Sequence, residues 1–153
     1  MSVKARFDKD ALMQRITEAA GKAAERTVLL YQKELKKELS QKGSGRTYRG
    51  GRKGKGTRRT RSAPGQPPAV DTGELRRSVM TSPTHSQAAS GGTKVVRWRV
   101  LGIKPYGFML DQGTARIKPR PWIKSPKERV VKQVPNIFNR YMTAALQKFA
   151  RAK

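Results

Sequence analysis

The chain of 153 residues contains no cysteine and a single histidine, His85. The first absence removes disulfide frameworks, zinc knuckles, iron-sulfur clusters and cysteine nucleophiles. The second removes multi-histidine metal sites, and a Ser-His-Asp relay would have to be built on an imidazole in the polar stretch Thr81 to Thr93, where a solvated loop residue is expected. Acids are scarce as well: the 10 Asp and Glu show no metal-ligand spacing and no base-plus-nucleophile pairing. Long apolar runs are missing. Val28 to Tyr31 and Phe108 to Leu110 fall far short of the roughly 20 residues a membrane span requires. The chain opens without the apolar block of a secretory leader, and Asp8, Asp10, Glu18 and Glu25 argue against a transit peptide. A soluble, cytosolic product with no membrane contact is expected.

What the sequence has in excess is positive charge. With 35 Lys and Arg against 10 Asp and Glu the formal charge is +25 at pH 7. Self-repulsion at that density opposes compaction, so a polyanionic partner is expected, nucleic acid first and an acidic protein surface second. Apolar residues make up 35%, below the roughly 45–50% usual for globular chains on a count that includes glycine. Part of the chain therefore contributes nothing to a core, and the length suits one domain with an added arm.

From Asp8 to Gln41, apolar or small residues recur at Leu12, Ile16, Ala19, Ala20, Ala23, Val28, Tyr31, Leu35 and Leu39, a helical face. Asp8 is the expected N-cap and Phe7 a staple onto Leu12, with i,i+4 pairs at Glu18 to Lys22 and Glu38 to Lys42. Such a helix is roughly 50 Å long. Packing along a sheet is expected for its first half, and a strut role stays open for the second. Residues 42–62 carry nine cations (Lys42, Arg46, Arg49, Arg52, Lys53, Lys55, Arg58, Arg59 and Arg61) among six glycines, with no acid. Only Tyr48 is apolar, so a mobile arm that orders on meeting an anion is expected. Ala63 to Val70 then stiffens the chain towards extended geometry.

Asp71 is the expected N-cap of a short helix through about Ser78, with Glu74 completing the box and Val70 stapling to Leu75. Arg77 to Pro83 is weakly strand-like, Ser86 to Gly92 reads as a polar loop, and Lys94 to Ile103 is the best strand. Val96, Trp98 and Val100 share one side of it, with Arg97 and Arg99 on the other. Lys104-Pro105 breaks that strand, a helical turn or two follows over Tyr106 to Gln112, and Gly113 supplies the bend. Ser125-Pro126-Lys127-Glu128 opens the last helix, whose buried face is Ile137, Tyr141, Ala144, Ala145 and Phe149, with a kink at Pro135. The domain is thus single, 1–153: a helix over 8–41, a basic Gly/Pro-rich flexible loop over 42–69, and sheet plus C-terminal helix over 70–153.

Few stretches point to chemistry. Asp71-Thr72-Gly73 has the composition of half an aspartic-protease dyad, yet it precedes a capping pattern rather than an apolar strand. Gly51 to Thr57 lacks the lysine that a phosphate loop needs before its Ser/Thr. The cationic arm is the stronger signal. Each cation that neutralises a phosphate contributes a log-log salt slope of roughly −0.9 on duplex DNA, so Arg46, Arg49, Arg52, Lys53, Lys55, Arg58, Arg59 and Arg61 are the candidate contacts for nucleic acid or an acidic partner.

Pro67 to Val79, the basic-apolar strand Val95 to Ile103, Pro105 to Thr114 and Lys118 to Pro126 together resemble the neck or tail-completion proteins of tailed bacteriophages, which act at the head-tail junction. Asp71, Thr72, Gly73, Leu75, Arg76, Ser78 and Val79 fit that family's D-T-G-x-L-R-x-S-I box. Tyr106, Asp111, Gly113 and Thr114 fit its Y-A-x-x-x-E-x-G-T box, with Gly107 for Ala and Asp for Glu, and Arg120, Pro121 and Trp122 fit R-P-F with Trp for Phe. The resemblance runs from about Pro64 to the C-terminus. It implies an α+β unit in which a small antiparallel β-sheet is packed by a long N-terminal helix and a kinked C-terminal helix, with a long basic Gly-rich loop. It further implies a non-enzymatic virion protein without cofactor or metal, a subunit of a homo-oligomeric ring at the neck, found in the host cytoplasm during assembly. Portal- or adaptor-side connector proteins, tail tube or terminator proteins and packaged DNA are the implied neighbours. A free, sequence-nonspecific nucleic-acid-binding protein of ribosomal or chromatin-like type is the alternative.

Overall fold

The structure, a computed structural model, describes residues 8–49, 56–88, 94–101 and 104–151, with side chains throughout except at 83–88 and 94–101. Its fold is α+β. Helix α1 spans Lys9–Glu38 and is capped as its sequence dictates: the Asp8 carboxylate accepts the Ala11 N–H at 2.9 Å. At 1.5 Å per residue its 30 residues run about 45 Å. It is the spine against which the C-terminal helices and the longer strand pair pack. The expected staple from Phe7 lies outside the described residues.

Strands β1 (Thr47–Arg49) and β2 (Arg58–Thr60) pair antiparallel, Tyr48 opposite Arg59. A two-stranded ribbon thus stands where a structureless arm was expected. Backbone bonds from Gly45 to Arg61 (2.7 Å) and from Arg61 to Arg46 (3.1 Å) extend the pairing towards the stem. The stem needs glycine at 43, where a Cβ would collide with the carbonyl oxygens of Thr60 and Arg61. The next segment is not uniformly extended either: Gly65 at φ 79° forms a turn, and its N–H donates to the Pro119 carbonyl.

Helix α2 (Glu74–Ser78) leads directly into β3 (Met80–Ala88), which pairs antiparallel with β4 (Lys94–Leu101). Strand β3 therefore runs through part of the stretch expected to be a polar loop, the cross-strand ladder to β4 supplying backbone partners that composition does not reveal. The faces expected for Val96, Trp98, Val100, Arg97 and Arg99, and the setting of His85, lie outside the described side chains. Helix α3 (Pro105–Gln112) has proline at its first position. It ends at Gly113, whose φ of 80° is the expected bend.

The C-terminal helix is kinked in the turn that precedes Pro135, as expected. Helix α4 (Lys124–Val131) and helix α5 (Val134–Arg151) meet at Lys132 and Gln133, because Pro135 has no N–H for the Val131 carbonyl and its ring crowds that group. Ser125, placed before Pro126 as an N-cap would be, is not the cap: α4 begins at Lys124 and the Ser125 hydroxyl accepts from Arg129 at 2.6 Å. The helix starts early because the N–H groups of Trp122 and Ile123, just ahead of it, are drawn to Asp111.

The core lies at the C-terminal end of α1: Leu35, Leu39, Leu75, Val79 and Trp122 are buried together, flanked by Tyr31, Leu110 and Ile123. Glu38 is buried beside it and does not form the expected pair with Lys42. Arg129 of α4 reaches across to Glu38 at 2.5 Å and to Glu34 at 3.1 Å, joining two carboxylates one helical turn apart. On α5, Ile137, Tyr141, Ala145 and Phe149 are half-buried as one face, while Ala144 is exposed.

Candidate functional site

The three sequence boxes meet beside this core. In the second box Asp111 closes the turn to the third: its Oδ1 accepts the N–H of Trp122 at 2.9 Å and of Ile123 at 3.2 Å. Trp122 is completely buried and donates its indole N–H to the Gly107 carbonyl at 3.1 Å. Between them, Gly113 turns the chain where a Cβ would press on Ile117 and Pro119, and the Thr114 hydroxyl accepts the N–H groups of Arg116 and Ile117. Arg120 is fastened by its N–H to the Leu110 carbonyl at 2.7 Å, whereas Pro121 stays exposed. Tyr-Gly…Asp-x-Gly-Thr and Arg-Pro-Trp therefore form one joint, a carboxylate and a carbonyl holding a tryptophan plug.

The first box sits against that joint. Leu75 enters the core, and the Arg76 guanidinium reaches the Ser40 hydroxyl at 3.2 Å. Asp71 does not cap α2. The N-cap position belongs to Gly73, at φ 75°, with the Thr72 hydroxyl accepting the Glu74 N–H at 3.4 Å. The left-handed glycine turns the chain just before the helix, and Asp71 is held instead by a salt bridge from Arg59 and a 3.4 Å hydrogen bond from the Tyr48 phenol. Val70 stays exposed rather than stapling to Leu75. The Tyr106 phenol reaches the same corner: burial first, then the carboxylates of Glu74 and Asp71, raises its pKa above the ordinary tyrosine value, against an opposing bond with the Leu75 backbone.

A cleft of about 460 Å³ opens between these parts. Tyr48 and Arg59 to Ser62 of the ribbon line one side, residues 68–76 another, and Tyr106, Leu110, Ile117 and Arg120 close it. Arg61 lies over the Tyr48 ring, 4.5 Å from its centroid, as a cation–π pair. The cationic candidates thus divide. Arg46, Arg49, Arg58 and Arg61 are exposed on or beside the ribbon, Arg59 is turned inward to Asp71, and Arg52, Lys53 and Lys55 lie outside the described residues. Sequence reading misses Ser62, Leu110 and Ile117 as cleft residues, since no periodicity marks them. It also misses the Glu34, Glu38 and Arg129 joint, whose only signal is two acids four positions apart amid lysines.

Among the described residues no group of three or more His, Cys, Asp or Glu could hold a metal ion. No described helix is long and apolar enough to cross a membrane. The arrangement offers guanidinium groups, hydroxyls and apolar walls, which is the chemistry of recognition. Comparison with protein-family models, with curated proteins and with solved structures finds no match to this chain.

Proposed function

We propose that the chain is a structural assembly protein of the tailed-phage neck type, joining head to tail or completing the tail as one subunit of a homo-oligomeric ring. The observation that carries this reading is the joint itself. The box residues spend their polar groups on one another and on backbone, Asp111 on two N–H groups and Trp122 on Gly107, as parts of a rigid body. Around that body stand exposed cations at Arg46, Arg49, Arg58 and Arg61. Subunits of charge +25 close a ring only where polyanions offset their repulsion, and packaged DNA or acidic faces of connector and tail proteins supply them.

The exposed arginines of the ribbon also favour a second reading, a free nucleic-acid-binding protein. Electron microscopy of lysates from a phage lacking the gene separates the two. Filled heads beside separate complete tails, or overlong tails, are expected for a joining or completing subunit. Normal infectious particles would overturn the assembly reading and leave the second, whose signature is tight oligonucleotide binding by the isolated protein with a steep salt slope.

A further inference from the structure

The cleft contains polar groups that the fold leaves unused. Ser62 is 4% exposed, and its hydroxyl has no hydrogen-bond partner among the described residues. The Arg120 Nε is likewise buried without a partner, and both residues line the cleft. A buried polar group without a partner costs free energy in the free protein, so a complementary group that enters recovers it. Charge points the same way. Arg59 and Asp71 neutralise each other on the cleft wall, but Arg61, Arg76 and Arg120 have no carboxylate partner among the described residues, against the single unpaired carboxylate Glu74 there.

We infer that this cleft receives a carboxylate side chain from an acidic segment of a partner protein, held by Arg120 and the Ser62 hydroxyl, with Arg61 at the rim and the neighbouring apolar side chains against the walls. Those walls are Leu39, Pro68, Leu75, Leu110 and Ile117. The apolar walls select a protein segment over nucleic acid: a single carboxylate flanked by apolar side chains meets cations and hydrocarbon together, while a run of phosphates would set further charges against hydrocarbon and Glu74. The volume suits a few side chains. Arg61 is already stacked on Tyr48, which lowers the entropy lost when it engages an oxyanion. The inference rests on the assembly reading for the existence of a protein partner.

The test uses the full chain and a fluorescein-labelled hexapeptide of alternating glutamate and leucine, followed by anisotropy at physiological salt. Arg120→Gln is expected to weaken binding about tenfold or more, as for loss of a charged hydrogen bond. Ser62→Ala is expected to weaken it about threefold to tenfold. Because that hydroxyl is unpartnered in the free protein, the alanine variant should melt no lower than the parent, so a folding defect cannot imitate the effect. Arg140→Gln, which removes one charge from α5 and none from the cleft, should change affinity less than about twofold.

Equal losses in R120Q and R140Q would overturn the inference, since binding would then follow net charge alone. So would a glutamine-for-glutamate peptide that binds as tightly. Loss of affinity in R120Q and S62A for a dT12 oligonucleotide but not for the peptide would transfer the site to nucleic acid. Peptide binding that follows this pattern beside normal particles without the gene would sink the assembly role and leave the cleft standing. Disrupted particles with no such binding would do the reverse.

Discussion

The two ends of α1 are built from the same kind of periodic sequence, yet they are covered differently. Towards the C-terminal end, Leu35 and Leu39 are 1% and 3% exposed, under Val79 and Trp122, which are fully buried. Towards the N-terminal end the buried positions are only the small side chains Ala19 and Ala23, while Met13 is exposed. Helix α5, the partner there, has no buried residue at all among those described. A helix laid on a helix covers one stripe. The other end is enclosed by α2, the start of β3, α3 and the strap before α4, drawn in by polar bonds: Gln32 to the Val79 carbonyl at 2.9 Å, Asp111 to Trp122 and Ile123, and Arg129 to Glu34 and Glu38. A continuous apolar face is thus insufficient for burial; the covering layer has to be fastened.

The sharpest way to break this comparison is to remove one plug from each end. Trp122→Ala should cost about 3–5 kcal/mol in denaturant unfolding, whereas Phe149→Ala on half-covered α5 should cost about 1 kcal/mol. Equal costs would mean that the α1 and α5 pair is as integral to the fold as the core. A smaller effect addresses the fastening. Asp111→Ala leaves the N–H groups of Trp122 and Ile123 without their acceptor and should cost about 2–3 kcal/mol, while Asp111→Asn, which keeps a carbonyl in place, should cost about half of that. Identical losses in the two variants would show that charge, not the accepted bond, holds the strap.

The smallest effect is a matter of titration. Tyr106 and Tyr31 both have pKa values raised, chiefly by burial. In an ultraviolet titration both should ionise above the ordinary tyrosine value, and Tyr106→Phe should delete one of the late phenols. The sign for stability follows: the unfolded chain ionises first, near the ordinary value of about 10, so the contribution of these phenols is intact below that pH and is lost as pH climbs towards the raised folded values. A Tyr106 that titrates at the ordinary tyrosine value would place it outside the corner formed by Glu74, Asp71 and Leu75.

Much of the framework was legible in the sequence because its signals are local. The Asp8 cap, the period of α1, the pairing of Glu18 with Lys22 at 2.6 Å, proline opening α3 and the turn at Gly113 all involve groups within four positions of each other. Of the cleft, the boxes were visible as boxes, and the cations of residues 42–62 as composition. Their division was not: Arg59 goes inward to Asp71 and Arg61 onto Tyr48 while Arg58 stays exposed, an arrangement that exists only once β1 and β2 pair. The kink was legible too, because it is local: the break at Lys132 and Gln133 falls between Pro135 and Val131, the residue whose carbonyl a proline four positions on can neither bond nor clear.

The sequence by itself thus determined the α+β class, the long spine and the abundance of positive charge, all of which follow from periodicity, capping and composition. Tertiary structure alone decided what each polar side chain would hold. Asp71, with the spacing of a cap, became the counter-ion of Arg59; Glu38, with the spacing of a surface pair, became the buried partner of Arg129; and Asp111 became the anchor of Trp122. A carboxylate near a core binds whichever donor the packed chain brings within reach, and those donors came from 11 to 91 positions away.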